Sequence, residues 1–272
     1  TISSMQKNKC DPFHRPSYTT HAPVNSHFQV EAPESVFFGK MLFFLYTTRF
    51  CYLVRLIARL RIISRIIGWY YDSKMSRMHI TPFIRRFNIC MDEAALSEDE
   101  YLSFNHFFTR TLKKDARPIH GENISIISPC DGNLTIYENI EETTTFFAKE
   151  CLFSLKAFFG NSNESELFKG ATLFIFRLAP PDYHRYHFPV VGIPRQTKIV
   201  SGLLDAVHPI AWHSRYIPLL ENERHYTLID SDYFGCLAMF AIGALSVGKI
   251  IETYVPGISV KAGNSMGYFA FG

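Results

Sequence analysis

The stretch A-T-L-F-I-F-R-L-A-P-P-D-Y-H-R-Y-H-F-P, residues 171–189, carries the clearest signals for the fold and for a site. Residues 171–178 are a short run of apolar and β-branched side chains, which is typical of a β-strand. Prolines then bracket a short polar segment that has room for one helical turn. Such a turn predicts that His184 and His187, three residues apart, lie on one side of it.

Similar runs surround this stretch. Short segments rich in Ile, Phe, Val and Thr, bounded by Gly, Pro, Asp or Asn, predict further strands at residues 124–127, 134–137, 196–200, 226–229, 236–244 and 249–254. One helix is predicted within residues 152–159. The sequence therefore predicts a β-rich domain over residues 119–272.

The residues before this domain have a different character. Residues 1–35 are polar and show no period, and we interpret them as a flexible leader. Residues 36–71 are apolar, contain no proline and are interrupted by Lys40 and several arginines, so a helix is the natural interpretation. Shorter helices are predicted at residues 73–78, 81–87 and 97–112. The predicted fold class is therefore α+β, with a helical region over residues 36–118 and the β-rich domain after it.

The helical region has a composition suited to a membrane surface. Residues 36–71 hold arginines but no acidic residue. Apolar side chains of such a helix can enter the acyl boundary while the arginines meet lipid phosphates. The alternative is a buried core helix whose arginines reach out to solvent. We predict that residues 36–118 face and associate with a membrane.

Composition excludes several classes of protein. Hydrophobic residues make up 47% and aromatic residues 15% of the 272 residues, which excludes a disordered chain. The net charge of only +3 is too small to indicate a basic surface for nucleic acid, and we expect no nucleic-acid partner. A polytopic membrane protein is also excluded, because the longest uncharged run, residues 233–248, is too short to span a bilayer and contains glycines.

Four motifs could carry chemistry. S-P-C-D-G at residues 128–132 reads as a tight turn, for which Asp131 and the following glycine are ordinary turn residues. The two histidines could be metal ligands, acid/base groups or partly exposed polar residues; a third ligand for zinc is not evident. N-E-R at residues 222–224 is more typical of a loop-stabilising ion pair than of a site. K-A-G-N-S-M-G-Y-F-A-F-G at residues 261–272 reads as a hairpin entering a buried strand.

These four motifs, in this order, resemble those of the phosphatidylserine decarboxylase family, which is pyruvoyl-dependent. S-P-C-D-G is similar to the family's S-P-x-D-G, and L-A-P-P-D-Y-H-R-Y-H-F-P-V to its L-x-P-x-D-Y-H-R-x-H-x-P-V. N-E-R matches directly, and the last motif resembles the approach to the family's self-cleavage site. Two further stretches support the resemblance: S-F-N-H-F-F-T-R at residues 103–110, together with Arg117 and Pro118, and F-S-L-K-A-F-F-G at residues 153–160.

The resemblance implies roles for individual residues. Asp131 matches the aspartate and His187 the histidine of a triad that cuts the chain between a glycine and a serine. Gly272 lies at this bond or one residue before it, so the chain is expected to be either the processed β chain or a precursor truncated there. The serine, beyond Gly272, becomes a pyruvoyl group on a short α chain. His184 resembles the residue assigned to decarboxylation, and the metal content is expected to be none.

The resemblance also implies the activity and the partners. Phosphatidylserine is converted to phosphatidylethanolamine and CO2 through a Schiff base with the pyruvoyl group. The expected partners are the α chain from the same precursor, phosphatidylserine and an anionic membrane surface; a homodimer of these two-chain units is compatible with it. The expected location is the cytoplasmic face of the inner membrane in a bacterium, or an organellar membrane in a eukaryote. The alternatives are a soluble pyruvoyl-type amino-acid decarboxylase, a zinc hydrolase using both histidines, and a non-catalytic scaffold at a membrane surface.

Overall fold

The computed structural model describes residue 48 and residues 52–119, 125–141, 154–207 and 218–272. They form an α+β fold whose named strands all pair in antiparallel fashion, which confirms the predicted class. Among these residues, no helix is both long enough and apolar enough to cross a bilayer. The leader at residues 1–35 and most of residues 36–51 lie outside the described part.

Short helices make up the first described part. Among the described residues, the α-helices are α1 (Tyr52–Ala58), α2 (Arg61–Asp72), α3 (Ile80–Phe87), α4 (Phe104–Phe108), α5 (Leu155–Phe158) and α6 (Pro218–Glu221). Turns of 3-10 helix lie at Lys74–His79, Met91–Glu93, Glu98–Glu100 and Asn163–Phe168. The helices predicted at residues 73–78, 81–87 and 152–159 are thus confirmed, with shifted or shorter bounds.

The continuous helix predicted through residue 71 is wrong in one respect. The chain breaks between α1 and α2, where Leu60 adopts an extended conformation. At this break Arg59 turns inward, and its side chain pairs with the buried carboxylate of Asp205 at 3.1 Å. The break separates the arginine of α1 from those of α2.

The helix predicted over residues 97–112 is also wrong as a single element. Ser97 and Glu100 form the expected capping box, but only a 3-10 turn follows it. The chain is then extended until Ser103, whose side chain accepts a hydrogen bond from the backbone of His106 and starts α4. The interruption allows Tyr101 to be buried together with the phenylalanines of α4.

In the described part of the chain, nine strands form three sheets. They are β1 (Asn133–Tyr137), β2 (Leu173–Arg177), β3 (Arg185–His187), β4 (Ile193–Pro194), β5 (Lys198–Val200), β6 (Arg224–Ser231), β7 (Gly235–Ile242), β8 (Lys249–Glu252) and β9 (Ser265–Ala270). Strands β1 and β2 form a ribbon, and the second sheet has the order β3-β9-β8. In the third sheet, β6 pairs with β7 along one edge and with β4 and β5 along the other. The strand predicted at residues 124–127 is not found in its described part; instead, the amide of Ile127 donates to the carbonyl of Pro189 at 2.9 Å.

The aromatic core of the helical part includes the end of the chain. The cluster contains the buried side chains of Ile80, Phe83, Tyr101, Phe104, Phe107, Phe108 and Phe271. The ring of Phe271 lies 4.4 Å from that of Tyr71 and 4.7 Å from that of Phe108, measured between centroids. The helical part and the strand leading to Gly272 therefore share one core.

The N-E-R motif is structural, as the sequence indicated. Glu223 pairs with Arg61 at 2.6 Å, while Arg224 is buried. The side chain of Asn222 is fully buried and forms hydrogen bonds of 2.8 to 3.0 Å with both backbone groups of Asp205 and with the carbonyl of Gly243. The side-chain amide of Asn222 thus connects the chain at Asp205 with the chain at Gly243.

We expect Asn222→Ala to lower the free energy of unfolding by about 3 kcal/mol, because buried backbone groups lose their partners. Asn133→Ala, at an exposed strand position, is the matched control and should change stability by less than about 0.5 kcal/mol. Both are measured by urea unfolding of the full-length protein. Equal, small effects of the two variants would contradict the role given to Asn222.

Candidate active site

The two histidines lie at the two ends of a short strand and not on a helical turn, which corrects the prediction. His184 directly precedes β3 and His187 ends it. The strand pairs with β9, with Arg185 opposite Tyr268 and His187 opposite Ser265. Pairing with a neighbouring strand overrides the local preference of a segment bounded by prolines, because the backbone groups obtain partners in the sheet.

His184 is a buried, neutral imidazole with a fixed tautomer. Its Nδ1 lies 2.8 Å from the carbonyl oxygen of Asp182, which can only accept, so Nδ1 carries the proton and Nε2 is left as a base. The ring packs 3.9 Å from that of Phe108, and only 6% of the residue is exposed. Burial lowers the pKa of His184 to about 3, which keeps the ring neutral at physiological pH.

His187 is oriented in the same way by another carbonyl. Its Nδ1 lies 3.0 Å from the carbonyl oxygen of Gly263, and Tyr183 stacks on its ring at a centroid distance of 5.9 Å. Burial lowers the pKa of His187, and the charge of Asp131 opposes this shift. The backbone amide of His187 donates to the carbonyl of Pro129 at 2.7 Å, which brings β3 beside the S-P-C-D-G turn.

Asp131 lies in this turn and is held by an arginine. Nε and Nη2 of Arg117 donate to its two carboxylate oxygens at 3.0 and 2.9 Å. The same guanidinium contacts Glu93 through Nη1 at 2.9 Å. Among the described residues, the hydrogen bonds of the Asp131 carboxylate run to Arg117 and not to His187. Asp131 acts on His187 through its charge.

Helical residues enclose Gly272. The hydroxyl of Ser64 donates to the carbonyl oxygen of Gly272 at 2.8 Å. A methyl group added to Gly68, one turn further along α2, would overlap with the Gly272 backbone. Asn105 bonds to both backbone groups of Phe271, each at 2.9 Å. These contacts join positions more than 160 residues apart in sequence.

The two predicted histidines lie at different distances from Gly272 along β9. The carbonyl of His184 accepts from the amide of Phe269 at 2.9 Å, three residues before Gly272. His187 is paired seven residues before it, with Ser265. At roughly 3.3 Å of rise per residue, His184 lies beside the end of β9 and His187 beside its start. Rings connect His184 to this end, since Phe108 contacts both His184 and Phe271.

Sequence reasoning missed Ser64, Asn105 and Arg117 as parts of this region. Asn105 lies inside the stretch S-F-N-H-F-F-T-R, which supported the resemblance but had no role attached. For Ser64, the only signal is a small polar residue in an apolar helix. Among the residues that the structure describes, no three His, Cys, Asp or Glu side chains are grouped so that they could hold a metal ion.

Comparisons with known proteins agree with the motifs. Residues 104–272 match the family described as phosphatidylserine decarboxylase. A phosphatidylserine decarboxylase proenzyme of Chlamydia pneumoniae is 36% identical over 240 residues, covering 88% of this chain and 80% of the relative. The proenzyme of Clostridium beijerinckii is 40% identical over 220 residues, covering 81% and 74%. That of Chlamydia trachomatis serovar L2 is 37% identical over 245 residues, covering 90% and 81%. The match extends from the helical part to Gly272, and the chain belongs to the phosphatidylserine decarboxylase family.

Proposed function

We propose that this chain forms the larger part of a phosphatidylserine decarboxylase, which releases CO2 from phosphatidylserine and leaves phosphatidylethanolamine. The observation that supports this most directly is the pairing of β3 with β9. It sets two neutral, oriented imidazoles along the strand that runs to Gly272. Relatives named as proenzymes further support a precursor that is cut into two chains.

We place the cut directly after Gly272 or one residue beyond it. The family resemblance assigns His187, which pairs with Ser265 seven residues before Gly272, as the base that takes the proton from the attacking serine hydroxyl. Its Nε2 is unprotonated because the carbonyl of Gly263 holds the proton on Nδ1. Asp131 stabilises the imidazolium that forms, through its negative charge. Arg117 holds this carboxylate in place.

The residues around Gly272 suit a pyruvoyl group on the adjoining chain. Gly68 leaves room for backbone where any larger side chain would collide, and Ser64 and Asn105 supply hydrogen bonds there. When bound, the pyruvoyl group supplies the carbonyl that accepts the electron pair released as CO2 departs. His184, beside the end of β9, is proposed to hold and return a proton at Nε2 during this step. Its apolar surroundings also exclude water.

Activity towards lipid is tested with the full-length precursor after cleavage. We expect CO2 and phosphatidylethanolamine from phosphatidylserine vesicles, and no CO2 from free serine or phosphoserine. Turnover of the free amino acid would instead favour the soluble decarboxylase. Residues 1–272 expressed without the partner chain should release no CO2, since the electron-accepting carbonyl is then missing.

We further propose that α2 lies on an anionic membrane surface. Ile62, Ile66 and Trp69 follow one another at helical spacing and are 62%, 57% and 78% exposed. They lie away from the buried positions Ser64 and Gly68, so the helix turns an apolar stripe outward. Two exposed methionines, Met75 and Met78, extend this apolar stripe beyond the helix. Four basic residues near the stripe are also exposed: Arg61, Arg65, Lys74 and Arg77. The membrane is proposed to be the inner membrane of a bacterium, at its cytoplasmic face, or an organellar membrane of a eukaryote.

We expect Ile66→Asp combined with Trp69→Asp to release the protein from vesicles containing phosphatidylserine. Each of these two side chains is proposed to enter the membrane, and each then contributes about 2 kcal/mol to the free energy of partitioning. Both contributions are lost in the double variant. Leu167→Asp, at a position that is 63% exposed outside the helical part, is the matched control and should leave binding unchanged. Flotation is measured at low and high salt, and binding of the unaltered protein should weaken with salt. Undiminished binding of the double variant would move the membrane contact elsewhere.

A further inference from the structure

The two residues that follow helix α4 contact the segment that contains His184. The carbonyl of Thr109 accepts a hydrogen bond from Nε of Arg185 at 2.9 Å. Nη2 of Arg110 donates to the carbonyl of Pro181 at 3.1 Å. Pro181 precedes His184 and Arg185 follows it, so contacts with the end of α4 lie on both sides of this histidine.

The guanidinium of Arg110 is buried without a counterion. Only 6% of the residue is exposed, and the group lies over the ring of Phe107, 5.2 Å from its centroid. Among the described residues, Nη1 of Arg110 has no hydrogen-bond partner, and no carboxylate lies within ion-pair distance of the guanidinium. The carboxylate of Asp131, whose charge acts on Arg110, is bound by Arg117 at 2.9 Å instead.

Such a charge is unfavourable for the fold. Removing an ion from water destabilises a protein unless an opposite charge or several hydrogen bonds compensate for it. In the described part of the chain, Arg110 obtains one side-chain hydrogen bond and one aromatic ring. Burial accordingly lowers the pKa of Arg110. An apolar side chain would fill the same space without this cost, so packing alone does not explain an arginine here.

The charge of Arg110 acts on His184. The ring of His184 packs against Phe108, which is two residues before Arg110 in the chain. Burial is the main cause of the low pKa of His184, and the positive charge of Arg110 acts in the same direction. A His184 that has taken up a proton is therefore a stronger acid beside Arg110, and it returns the proton more readily.

Building on the proposed proton transfer at His184, we propose that Arg110 is a positioning residue for decarboxylation. Through Pro181 it holds the chain that leads into His184, and through its charge it favours the neutral imidazole. The proposed base of self-cleavage is oriented independently, because Nδ1 of His187 is bound to the carbonyl of Gly263. The role of Arg110 is thus confined to one of the two reactions.

Arg110→Met in the full-length precursor tests this role. We expect cleavage at a rate close to normal. The kcat of decarboxylation per cleaved molecule should fall about 10- to 100-fold, because a small misplacement of a catalytic group can cost roughly 100-fold. The KM for phosphatidylserine in detergent micelles should be unchanged. The Tm should be retained or raised, since an apolar side chain replaces a buried charge that has no counterion.

Two further variants complete the experiment. Arg195→Met, at a position whose side chain is 51% exposed, is the matched control and should leave kcat unchanged. Arg110→Lys keeps the charge and a donor for the single hydrogen bond, which does not need the guanidinium fork, and should recover at least about a third of the normal kcat. Intact mass, CO2 release and thermal unfolding are measured for each protein.

Each possible result decides between this role and another. A normal kcat of Arg110→Met overturns the inference. A raised KM with an unchanged kcat also overturns it and assigns Arg110 to substrate binding. A lowered Tm together with a loss of activity that lysine does not restore, or cleavage that slows as much as turnover, shows a structural role instead. If the unaltered precursor releases no CO2 after cleavage, the proposed function has failed, and the two failures are distinguished.

Discussion

His187→Ala in the full-length precursor is expected to give one uncut chain. The imidazole is the only proposed acceptor for the proton of the attacking hydroxyl, and loss of a triad member typically lowers the rate by several orders of magnitude. His106→Ala is the matched control, since His106 is exposed and should have no effect on cleavage. Cleavage is followed by intact mass, and normal processing of His187→Ala would remove the residue from the mechanism.

Asp131→Asn belongs to the same experiment. It preserves the shape of the side chain but removes the charge that supports an imidazolium at His187. We expect slow cleavage with the fold retained. Burial lowers the pKa of His187, so the base remains neutral until the pH falls below the ordinary imidazole value of about 6.5. The cleavage rate of the unaltered precursor should therefore be flat above this pH and fall below it; a rate that rises on acidification would contradict a histidine base.

His184→Gln is expected to separate the two reactions. The side chain of His184 faces Phe108, and its own pairing is to Asp182, so the proposed base of self-cleavage keeps its orientation when His184 changes. The variant should thus be cut at a rate close to normal. Decarboxylation per cleaved molecule should fall by at least about 100-fold, because a positioned proton-transfer group contributes this much.

The measurement needs two readouts on the same sample. Intact mass gives the fraction of molecules cut, and CO2 release from phosphatidylserine vesicles gives the turnover of that fraction. Leu167→Asp changes an exposed position that has no proposed role, so it should show normal cleavage and normal turnover in detergent. A His184→Gln precursor that stays uncut, or one that turns over normally, would show that the division of roles between His184 and His187 is wrong.

Local sequence patterns predicted most of the strands, but they did not predict the conformation of the segment that contains His184 and His187. Most predicted strands are present because alternating or β-branched runs bounded by turn residues specify a strand locally. The segment around His184 and His187 has no such pattern, and its conformation is decided by β9, which lies far away in sequence. Its prolines limited the length of a helix but gave no information about a partner strand.

The contacts of Ser64 and Asn105 could not be predicted for a similar reason. Each depends on where residues 271 and 272 arrive, and nothing within the surrounding helix encodes this. The sequence separated a helical region from a β-rich domain by composition. Packing joins them, because burying Phe271 among the aromatic side chains of the helical part removes apolar surface from water on both sides.

The hydrogen bonds between Asn105 and Phe271 link the proposed self-cleavage to the order in which the chain is synthesised. Residues 64 and 105 leave the ribosome long before residue 271, so Ser64 and Asn105 can contact Gly272 and Phe271 only after β9 has been synthesised. The contacts around Gly272 form only once β9 has paired with both of its neighbours. With the cut proposed near Gly272, a precursor is expected to cut itself only after this pairing, so a misfolded copy would remain uncut.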